Sequence, residues 1–398
     1  MTHLRRTLFG RYLAALGVFV AGIVPVARLT RADEDARTAY IQTNLVSNLP
    51  GQAQIFDPNL QNAWGLAFAP GGPFWVNDNN AGLSTLYLGN GTIVDFPGTK
   101  VPFAVVIPGP NGSGAGFQAA PTGIVWNPTG GFAVTDPKTG TKLASNFVFD
   151  TEDGTISAWA FGLSDNTHAL LQVDNSAVPN AAEGAVYKGL AFGTNAKGNF
   201  LFATNFRAGT VEAYDQNFQL TKLDGAFSDP NLPAGFAPFG IRNIDGDLFV
   251  TYAKQNGEKH DDVAGAGSGF VSVFDTDGHL LRRFATRGSL NSPWGVTRSP
   301  YGFGQFSGDV LVGNFGDGKI NVYDSHGHFL DQLEGPRGKA IVIDGLWTLN
   351  FGGGAVSSPD VLYFTAGPNG EKDGLFGTIA PAAASEDRDG DGQKNDRP

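Results

Sequence analysis

Polar side chains that could bind a metal ion or a small ligand recur at one position of a repeated segment. Each of them ends a short apolar run and is followed by a turn and a second apolar run. The residues are Asp78, Asp150, Asn205, Tyr252, Asn314 and, in the most divergent segment, Thr365. Carboxylate and amide oxygens are the ligands that Ca²⁺ and Mg²⁺ prefer. The candidate metal ligands in this predicted ring are therefore Asp78, Asp150, Asn205 and Asn314.

The same residue types also end strands for a purely local reason. Asp and Asn side chains bond to nearby backbone groups in turns, whatever lies beside the turn. Three interpretations of the polar ring consequently stay open: turn formation, a divalent metal site, or contacts to an organic ligand.

A charged loop from Lys254 to Gly269 adds a second group of reactive side chains. It holds Glu258, Lys259, His260, Asp261 and Asp262. A histidine beside carboxylates could act as a general base near neutral pH, which makes His260 the candidate catalytic residue. Lys254, Asp261 and Asp262 are candidate ligand contacts. The alternative is a solvated flap, because adjacent residues of an extended backbone point in different directions.

The last residues form a third candidate metal site. Carboxylates alternate along Asp387, Asp389 and Asp391, and Gly392 stands at the sixth position, as in the first half of a calcium loop. The twelfth position is Pro398, where a bidentate Glu would belong. We expect residues 382–398 to be an acidic tail, either without bound metal or with calcium that assists adhesion to a cell envelope.

A repeated glycine signature identifies the elements that position these residues. Successive signature glycines lie between 50 residues apart (Gly295 to Gly345) and 66 residues apart (Gly123 to Gly189). The six copies are Trp64-Gly65-Leu66, Thr122-Gly123-Ile124, Lys188-Gly189-Leu190, Phe239-Gly240-Ile241, Trp294-Gly295-Val296 and Gly345-Leu346-Trp347.

Each repeat contains short alternating strands separated by turn signals, which favours an all-β fold with four strands per repeat. The sequence predicts a six-bladed β-propeller over residues 40–381, with a β-sandwich or β-helix as the alternative. The last repeat ends after three strands, so we expect the strand from Tyr40 to Val46 to complete the last blade and close the ring. Loops that follow the second strand of each blade would then gather around one mouth of the channel.

Composition excludes several classes of function. The 398 residues include no Cys, so disulfides, Cys-ligated zinc, iron–sulfur clusters and a Cys nucleophile are ruled out. The formal net charge of −11 disfavours nucleic acid and anionic lipid as partners. An unknown small molecule or a protein remains as the partner, and we expect a monomer.

The N-terminus has the pattern of an export signal. Arg5, Arg6 and Arg11 precede an apolar run over residues 12–26, which is short for a membrane span. We predict a signal peptide over residues 1–32 and a linker over 33–39. The protein is therefore expected in the periplasm or outside the cell, by either the general or the twin-arginine route. No later segment is apolar enough to span a bilayer.

Three segments carry a resemblance to a known family. The runs 254–270, 151–157 and 292–295 resemble an uncharacterised family of exported bacterial β-propeller proteins, similar in architecture to NHL-repeat and gluconolactonase-type propellers. The resemblance covers roughly residues 40 to 380. Gluconolactonase-like propellers hold a metal with a Glu that opens an inner strand. No Glu stands in the first repeat at residues 60–64, whereas Glu183 has the matching local sequence and is a candidate ligand.

No hydrolase elbow, phosphate-binding loop or zinc-protease helix motif occurs in the sequence. The leading hypothesis is therefore an exported propeller that binds a ligand or partner at its channel face. One alternative is a hydrolase or lyase that depends on Ca²⁺ or Mg²⁺ and uses His260 as base. The other is a calcium-assisted envelope or adhesion protein. No cofactor is established by the sequence alone.

Overall fold

The computed structural model describes residues 39–114 and 116–382. The predicted signal peptide, most of the predicted linker and the calcium-loop sequence with Asp387, Asp389 and Asp391 lie outside the described residues. Within the described ranges, no helix is long and apolar enough to cross a membrane.

Six antiparallel sheets form a closed ring of blades, as the sequence predicts. Blade 1 comprises Ala63–Phe68, Phe74–Asp78, Leu83–Tyr87 and Ala104–Val106. Blade 2 comprises Pro121–Trp126, Phe147–Thr151, Thr155–Trp159 and Leu170–Asp174, with an inserted hairpin of Ala133–Thr135 and Lys142–Ala144. Blade 3 comprises Tyr187–Asn195, Gly198–Asn205 and Thr210–Asp215. Blade 4 comprises Phe236–Ile244, Asp247–Lys254, Phe270–Phe274 and Leu280–Thr286. Blade 5 comprises Pro293–Arg298, Val310–Asn314, Ile320–Tyr323 and Phe329–Gln332, with a 3₁₀ turn at Gly304–Phe306. Blade 6 comprises Leu346–Phe351, Leu362–Ala366, Leu375–Pro381, Tyr40–Ser47 and Ile55–Phe56.

The first strand of each blade is its inner strand, and neighbouring inner strands contact one another around the whole ring, including blade 6 against blade 1. Apolar residues from facing blades fill the space between the sheets, so the core is a set of clusters distributed around the ring. The inner strands thus enclose a central channel.

The N-terminal strand closes the ring, which confirms the prediction. Tyr40–Ser47 pairs antiparallel with Leu375–Pro381, the third strand of blade 6. The Tyr40 hydroxyl donates to the Phe303 carbonyl at 3.0 Å, and the Ser47 hydroxyl donates to the Gly374 carbonyl at 2.8 Å. Both ends of the propeller sequence therefore meet in one sheet, and the third strand of blade 6 has no open edge.

Blade 3 departs from the expected four strands. After Thr210–Asp215 the chain makes only an isolated bridge between Tyr214 and Leu220 before it leaves for blade 4. The blade consequently has three strands, and the four-strand prediction is wrong for this repeat.

A bulge occurs at the same place in all six inner strands. In each of them the pairing with the second strand shifts register, as between Ala63 and Leu66 in blade 1. The signature glycine lies inside this bulge. A Cβ added to Gly65 would overlap the Thr122 carbonyl of the next inner strand, and a Cβ added to Gly295 would overlap that of Trp347. The glycine signature therefore marks where adjacent blades approach most closely.

In blade 6 the structure corrects the alignment of this signature. Register pairs Leu346 with Ala366 and Leu349 with Phe364, so the bulge position belongs to Thr348 and not to Gly345. The Thr348 hydroxyl donates to the Trp64 carbonyl of blade 1 at 2.8 Å. Gly345 serves a different purpose, since its φ of +67° lies in the left-handed region.

Candidate functional site

The residues that precede the bulge glycines build the floor of one channel mouth. In repeat order this position holds Trp64, Thr122, Lys188, Phe239, Trp294 and Trp347. The indole rings of Trp64 and Trp347 stack with centroids 3.5 Å apart, and Trp294 meets both rings edge-on. Phe206 belongs to the same buried cluster, and the half-buried Phe315 packs against it. We call Trp64, Phe206, Phe239, Trp294, Phe315 and Trp347 the aromatic floor.

Lys188 is the charged member of that position, and its side chain is only 3% exposed. Its Nζ forms an ion pair with Glu152 and lies 3.5 Å from Asp261 Oδ1. The ammonium also lies 5.3 Å from the centroid of the Trp64 ring. Burial alone would lower the pKa of Lys188, but the carboxylates of Glu152, Asp261 and Glu371 raise it above its ordinary value. Lys188 is therefore a buried cation at the mouth.

Loops from three blades bring carboxylates to this lysine. Each loop follows the second strand of its blade: Glu152 comes from blade 2, Asp261 from blade 4 and Glu371 from blade 6. Asn79 Nδ2 donates to Glu152 Oε2 at 2.9 Å, and Asn62 Nδ2 donates to Glu371 Oε2 at 3.0 Å. The predicted convergence of these loops at one mouth is present.

Burial and the nearby Glu152 carboxylate raise the pKa of Glu371 to about 7. Burial also raises the pKa of Asp262. In contrast, the hydrogen bond with His260 and the charge of Lys188 lower the pKa of Asp261 to about 2. The mouth thus holds ionised carboxylates beside carboxyl groups that retain protons more readily.

His260 and Asp261 do contact each other, although they are adjacent in sequence. His260 Nδ1 lies 2.8 Å from Asp261 Oδ1, and the imidazole side chain is 34% exposed. Donor atoms of Glu152, His260 and Asp261 all lie within 4.8 Å of one another. One imidazole and two carboxylates could therefore bind a divalent ion. Lys254, the remaining predicted contact of this loop, is exposed at the end of its strand.

The six residues of the predicted polar ring do not occupy one register position. Asp78, Asn205, Tyr252 and Asn314 each pair with the inner-strand residue just before the bulge, as Asp78 does with Ala63. In blades 2 and 6 that position belongs to Thr151 and Ala366. Asp150 and Thr365 lie one residue earlier. A shift of one residue turns a side chain to the opposite face of its strand, so the structure does not place all six side chains in one row.

The contacts of these residues lie within and between the blades. Asn205 Nδ2 donates to Glu212, and Asn314 Nδ2 donates to Asp317 in the turn that follows it. Asp150 Oδ1 accepts hydrogen bonds from Thr122 and from the Gly123 amide. These bonds match the turn-forming interpretation, and metal binding by these residues stays a prediction.

Three further predicted residues have buried or local surroundings. Tyr252 lies in the core cluster of blades 3 and 4, and burial raises the pKa of its phenol. Both carboxylate oxygens of Asp78 lack a hydrogen-bond partner among the described residues, and burial raises its pKa well above the usual range. Glu183 is exposed and accepts a hydrogen bond from Asn180, three residues earlier.

A row that reaches the mouth stands one residue after the register position of Asp78, Thr151, Asn205, Tyr252, Asn314 and Ala366. In repeat order that next position holds Asn79, Glu152, Phe206, Ala253, Phe315 and Gly367. Sequence reasoning missed Asn62, Asn79, Glu152, Lys188 and Glu371. A usable signal was present for Lys188, because it is the charged residue at a repeat position otherwise held by Trp, Phe or Thr. Glu152 lies in the 151–157 segment that carries the family resemblance.

The fold and this mouth define a six-bladed β-propeller with a charged, aromatic-floored channel entrance. No protein-family model matches the chain. Uncharacterized protein R648 of Acanthamoeba polyphaga mimivirus is 32% identical over 350 residues, which cover 86% of this chain and 81% of that protein. Uncharacterized protein L690 of the same virus is 31% identical over 343 residues, covering 84% of each.

The chain belongs to the family of these mimivirus proteins. A third member, uncharacterized protein R640, is 32% identical over 245 residues, which are 60% of this chain and 44% of that protein. These relatives are viral, so they do not support the bacterial source that the resemblance implied.

Solved structures with a similar architecture include virginiamycin B lyase from Staphylococcus aureus. It has a TM-score of 0.46 and 14% sequence identity, covering 86% of this chain and 98% of the lyase. The WD40 repeats of RRP9 have a TM-score of 0.42 and 11% identity, covering 80% of this chain and 79% of that one. At these values the likeness carries no argument about function.

Proposed function

We propose that the protein is a ligand-binding propeller whose channel mouth takes a small organic ligand with a cationic amino group. The observation that supports this is Lys188, a buried ammonium held by loops from blades 2 and 4 over the aromatic floor. Burying a charge is costly, and the other repeats fill this position without one. Departures of this kind from a repeat concentrate at functional sites.

The charges at the mouth favour a cation. Glu152, Asp261, Asp262 and Glu371 supply four carboxyl groups, against the single ammonium of Lys188 and an imidazole at His260. Aromatic rings attract cations through their faces, and the floor already accommodates the Lys188 ammonium at 5.3 Å from Trp64 and 6.0 Å from Phe206. Burial, and next the Glu152 carboxylate, raise the pKa of Glu371, and a ligand ammonium would offset both effects.

A thermal-shift titration with putrescine and choline tests the proposal. The amines should raise the melting temperature of the wild type in a saturable manner, since a ligand that binds only the native state stabilises it. Glu371→Gln should weaken the effect about tenfold, because charged hydrogen bonds contribute roughly 1.5–3 kcal/mol. Glu258→Gln in the exposed part of the 254–269 loop is the matched control and should behave as the wild type. Equal shifts in all three proteins, or none in the wild type, would contradict the proposal.

A second candidate function is a divalent-metal-dependent hydrolase or lyase. It is favoured by the proximity of Glu152, His260 and Asp261, whose donor atoms lie within 4.8 Å of one another. Mg²⁺ or Mn²⁺ would suit the carboxylates, and Mn²⁺ also accepts the imidazole. In this function Glu152, His260 and Asp261 would hold the metal, which would activate water.

Calorimetry with MnCl₂ and MgCl₂ distinguishes the two candidates. The metal-dependent function requires saturable binding that is lost in His260→Ala and retained in Glu258→Gln. Binding of amines without binding of either metal would leave the ligand-binding propeller as the remaining candidate of the two. The Ca²⁺ or Mg²⁺ set proposed for Asp78, Asp150, Asn205 and Asn314 predicts binding that survives His260→Ala.

We also propose export, with cleavage near Ala32. N-terminal sequencing of protein secreted by an expression host should begin within a few residues of Asp33. A mature protein that starts at Met1 would contradict this. Adhesion assisted by calcium at Asp387, Asp389 and Asp391 remains a prediction, which deletion of residues 382–398 would test by loss of calcium-dependent surface attachment.

A further inference from the structure

The central channel contains a second cation, away from the mouth. Arg242 stands two residues after the bulge glycine of blade 4, whereas Lys188 stands one residue before that of blade 3. In repeat order the position of Arg242 is held by Ala67, Val125, Ala191, Arg242, Thr297 and Asn350. The propeller is therefore built with small or uncharged residues here, and the fold itself does not require an arginine.

Arg242 lacks the carboxylate partners that Lys188 has. The one side-chain hydrogen bond of its guanidinium within the described residues runs from Nη2 to Asn350 Oδ1, at 2.7 Å. Burial lowers the pKa of Arg242, and no carboxylate of the described chain opposes that shift. A guanidinium stays protonated in proteins, so an uncompensated charge lies in the channel.

The surroundings of Arg242 form a cavity of about 260 Å³. It is lined by the inner strands, among them the apolar residues Ala67, Val125 and Ala191, and by the Asn350 amide beside Arg242. The Asn350 Oδ1 accepts from Arg242, whereas the Asn350 Nδ2 has no hydrogen-bond acceptor among the described residues and remains available. Asn243 differs, because its amide donates to the Phe192 carbonyl at 3.0 Å.

We propose that this cavity binds a small organic carboxylate on Arg242. The guanidinium presents parallel N–H groups that match the two oxygens of a carboxylate, and such pairs are among the strongest hydrogen bonds in proteins. Asn350 supplies a neighbouring donor, while Ala67, Val125 and Ala191 suit the apolar body of the ligand. An inorganic anion would satisfy the guanidinium but leave the apolar lining without a partner.

This inference does not rest on the function proposed for the mouth. The two sites use different positions of the inner strands and opposite ligand charges. Lys188 is compensated by Glu152 and Asp261 inside the protein. Half-buried Arg242 has no carboxylate partner in the described chain, so its charge is open to a bound anion.

Benzoate is the probe for the test. Its binding to the full chain is measured by ligand-observed NMR titration. The wild type should bind benzoate saturably, and Arg242→Gln should weaken binding at least tenfold. Arg242→Lys should also weaken it, because lysine keeps the charge but loses the paired N–H geometry. Arg298→Gln is the matched control. Arg298 ends the inner strand of blade 5 and pairs with Asp245, so its loss should leave benzoate binding unchanged.

Phosphate and putrescine complete the design. Binding of phosphate that depends on Arg242, in the absence of benzoate binding, would overturn the carboxylate assignment. Benzoate binding of equal strength in wild type and Arg242→Gln would overturn the site. Melting curves of Arg242→Gln and Arg242→Lys confirm that each variant is folded. An unchanged affinity of these variants for putrescine would show that this cavity and the amine site at the mouth are distinct sites.

Discussion

At the scale of single residues, the molecule places its two channel cations in contrasting environments. Lys188 is surrounded by carboxylates, which raise its pKa despite burial. Arg242 has only an amide partner among the described residues. Because both stand in repeat positions that otherwise hold uncharged residues, each is a local departure from the scaffold, and each can be changed without altering the glycine and bulge pattern that forms the ring.

Removing the Lys188 ammonium should destabilise the protein. Lys188→Met keeps most of the side-chain volume but leaves Glu152 without its ion-pair partner, which costs about 3 kcal/mol for a buried pair. The double variant Lys188→Met/Glu152→Gln should recover part of this loss, since Asn79 still bonds to residue 152. Urea unfolding of the wild type, both single variants and the double variant measures the coupling. Additive losses would show that the pair contributes no specific interaction.

Glu371 should make stability depend on pH. Its folded pKa of about 7 lies above the ordinary value of 4.5, so the folded state binds this proton more tightly than the unfolded chain. That contribution is fully present below about pH 4.5 and is lost as pH rises through 7. Glu371→Gln should therefore gain stability relative to the wild type across this range, by about 1–2 kcal/mol after allowance for solvent screening. Melting curves of both proteins at pH 4.5, 6 and 8 measure the effect. A stability difference between them that does not change with pH would contradict the prediction.

At the scale of elements, the bulge of the inner strand explains why the glycine signature was visible in the sequence. Close approach of two backbones requires glycine, so spacing alone located five of the six inner strands. In blade 6 the same role falls to Thr348, whose hydroxyl bonds to Trp64, and a search for glycine selects Gly345 instead. A hydrogen-bonding threonine can thus stand where the other blades have glycine, and a search for glycine then misses the position.

The candidate site was harder to predict, for a reason that also belongs to this scale. Side chains alternate between the two faces of a strand, so an alignment error of one residue assigns a side chain to the wrong face. The bulge before Leu66, like its counterparts in the other inner strands, interrupts this alternation. Asp78 and Asp150 were selected because each ends an apolar run, whereas the mouth is built by Asn79, one residue later, and Glu152, two residues later. Loops of different blades meet where Glu152 and Asp261 both pair with Lys188, and spacing along the sequence does not encode such tertiary positions.

Alanine substitution tests the role of the bulge. Gly65→Ala should destabilise the fold by about 2–3 kcal/mol, because the added methyl overlaps the Thr122 carbonyl of blade 2. Gly130→Ala is the control, since nothing lies within 4 Å of a Cβ added there and its change should stay within about 0.5 kcal/mol. Chemical unfolding measures both. Equal effects of the two substitutions would disprove the close-approach explanation.

At the scale of the whole molecule, closure joins residues from opposite ends of the propeller sequence. Tyr40–Ser47 covers the edge of Leu375–Pro381, and Trp64 of blade 1 stacks on Trp347 of blade 6. The mouth contains side chains from blades 1, 2, 3, 4 and 6, among them Asn62, Glu152, Lys188, Asp261 and Glu371. An open ring would therefore lose the mouth together with its blade contacts, which couples ligand binding to closure.

A disulfide across the closing strands tests this coupling directly, and the absence of native cysteine makes the chemistry clean. Thr43 lies opposite Thr378, so the variant Thr43→Cys/Thr378→Cys should cross-link on oxidation. The bond would close a loop of more than three hundred residues and stabilise the fold by about 4 kcal/mol relative to the reduced form. Thr43→Cys/Ala380→Cys is two residues out of register and should not cross-link. Efficient bonding in the mismatched pair alone would refute the register, and an unchanged melting temperature after bonding would show that closure does not limit stability.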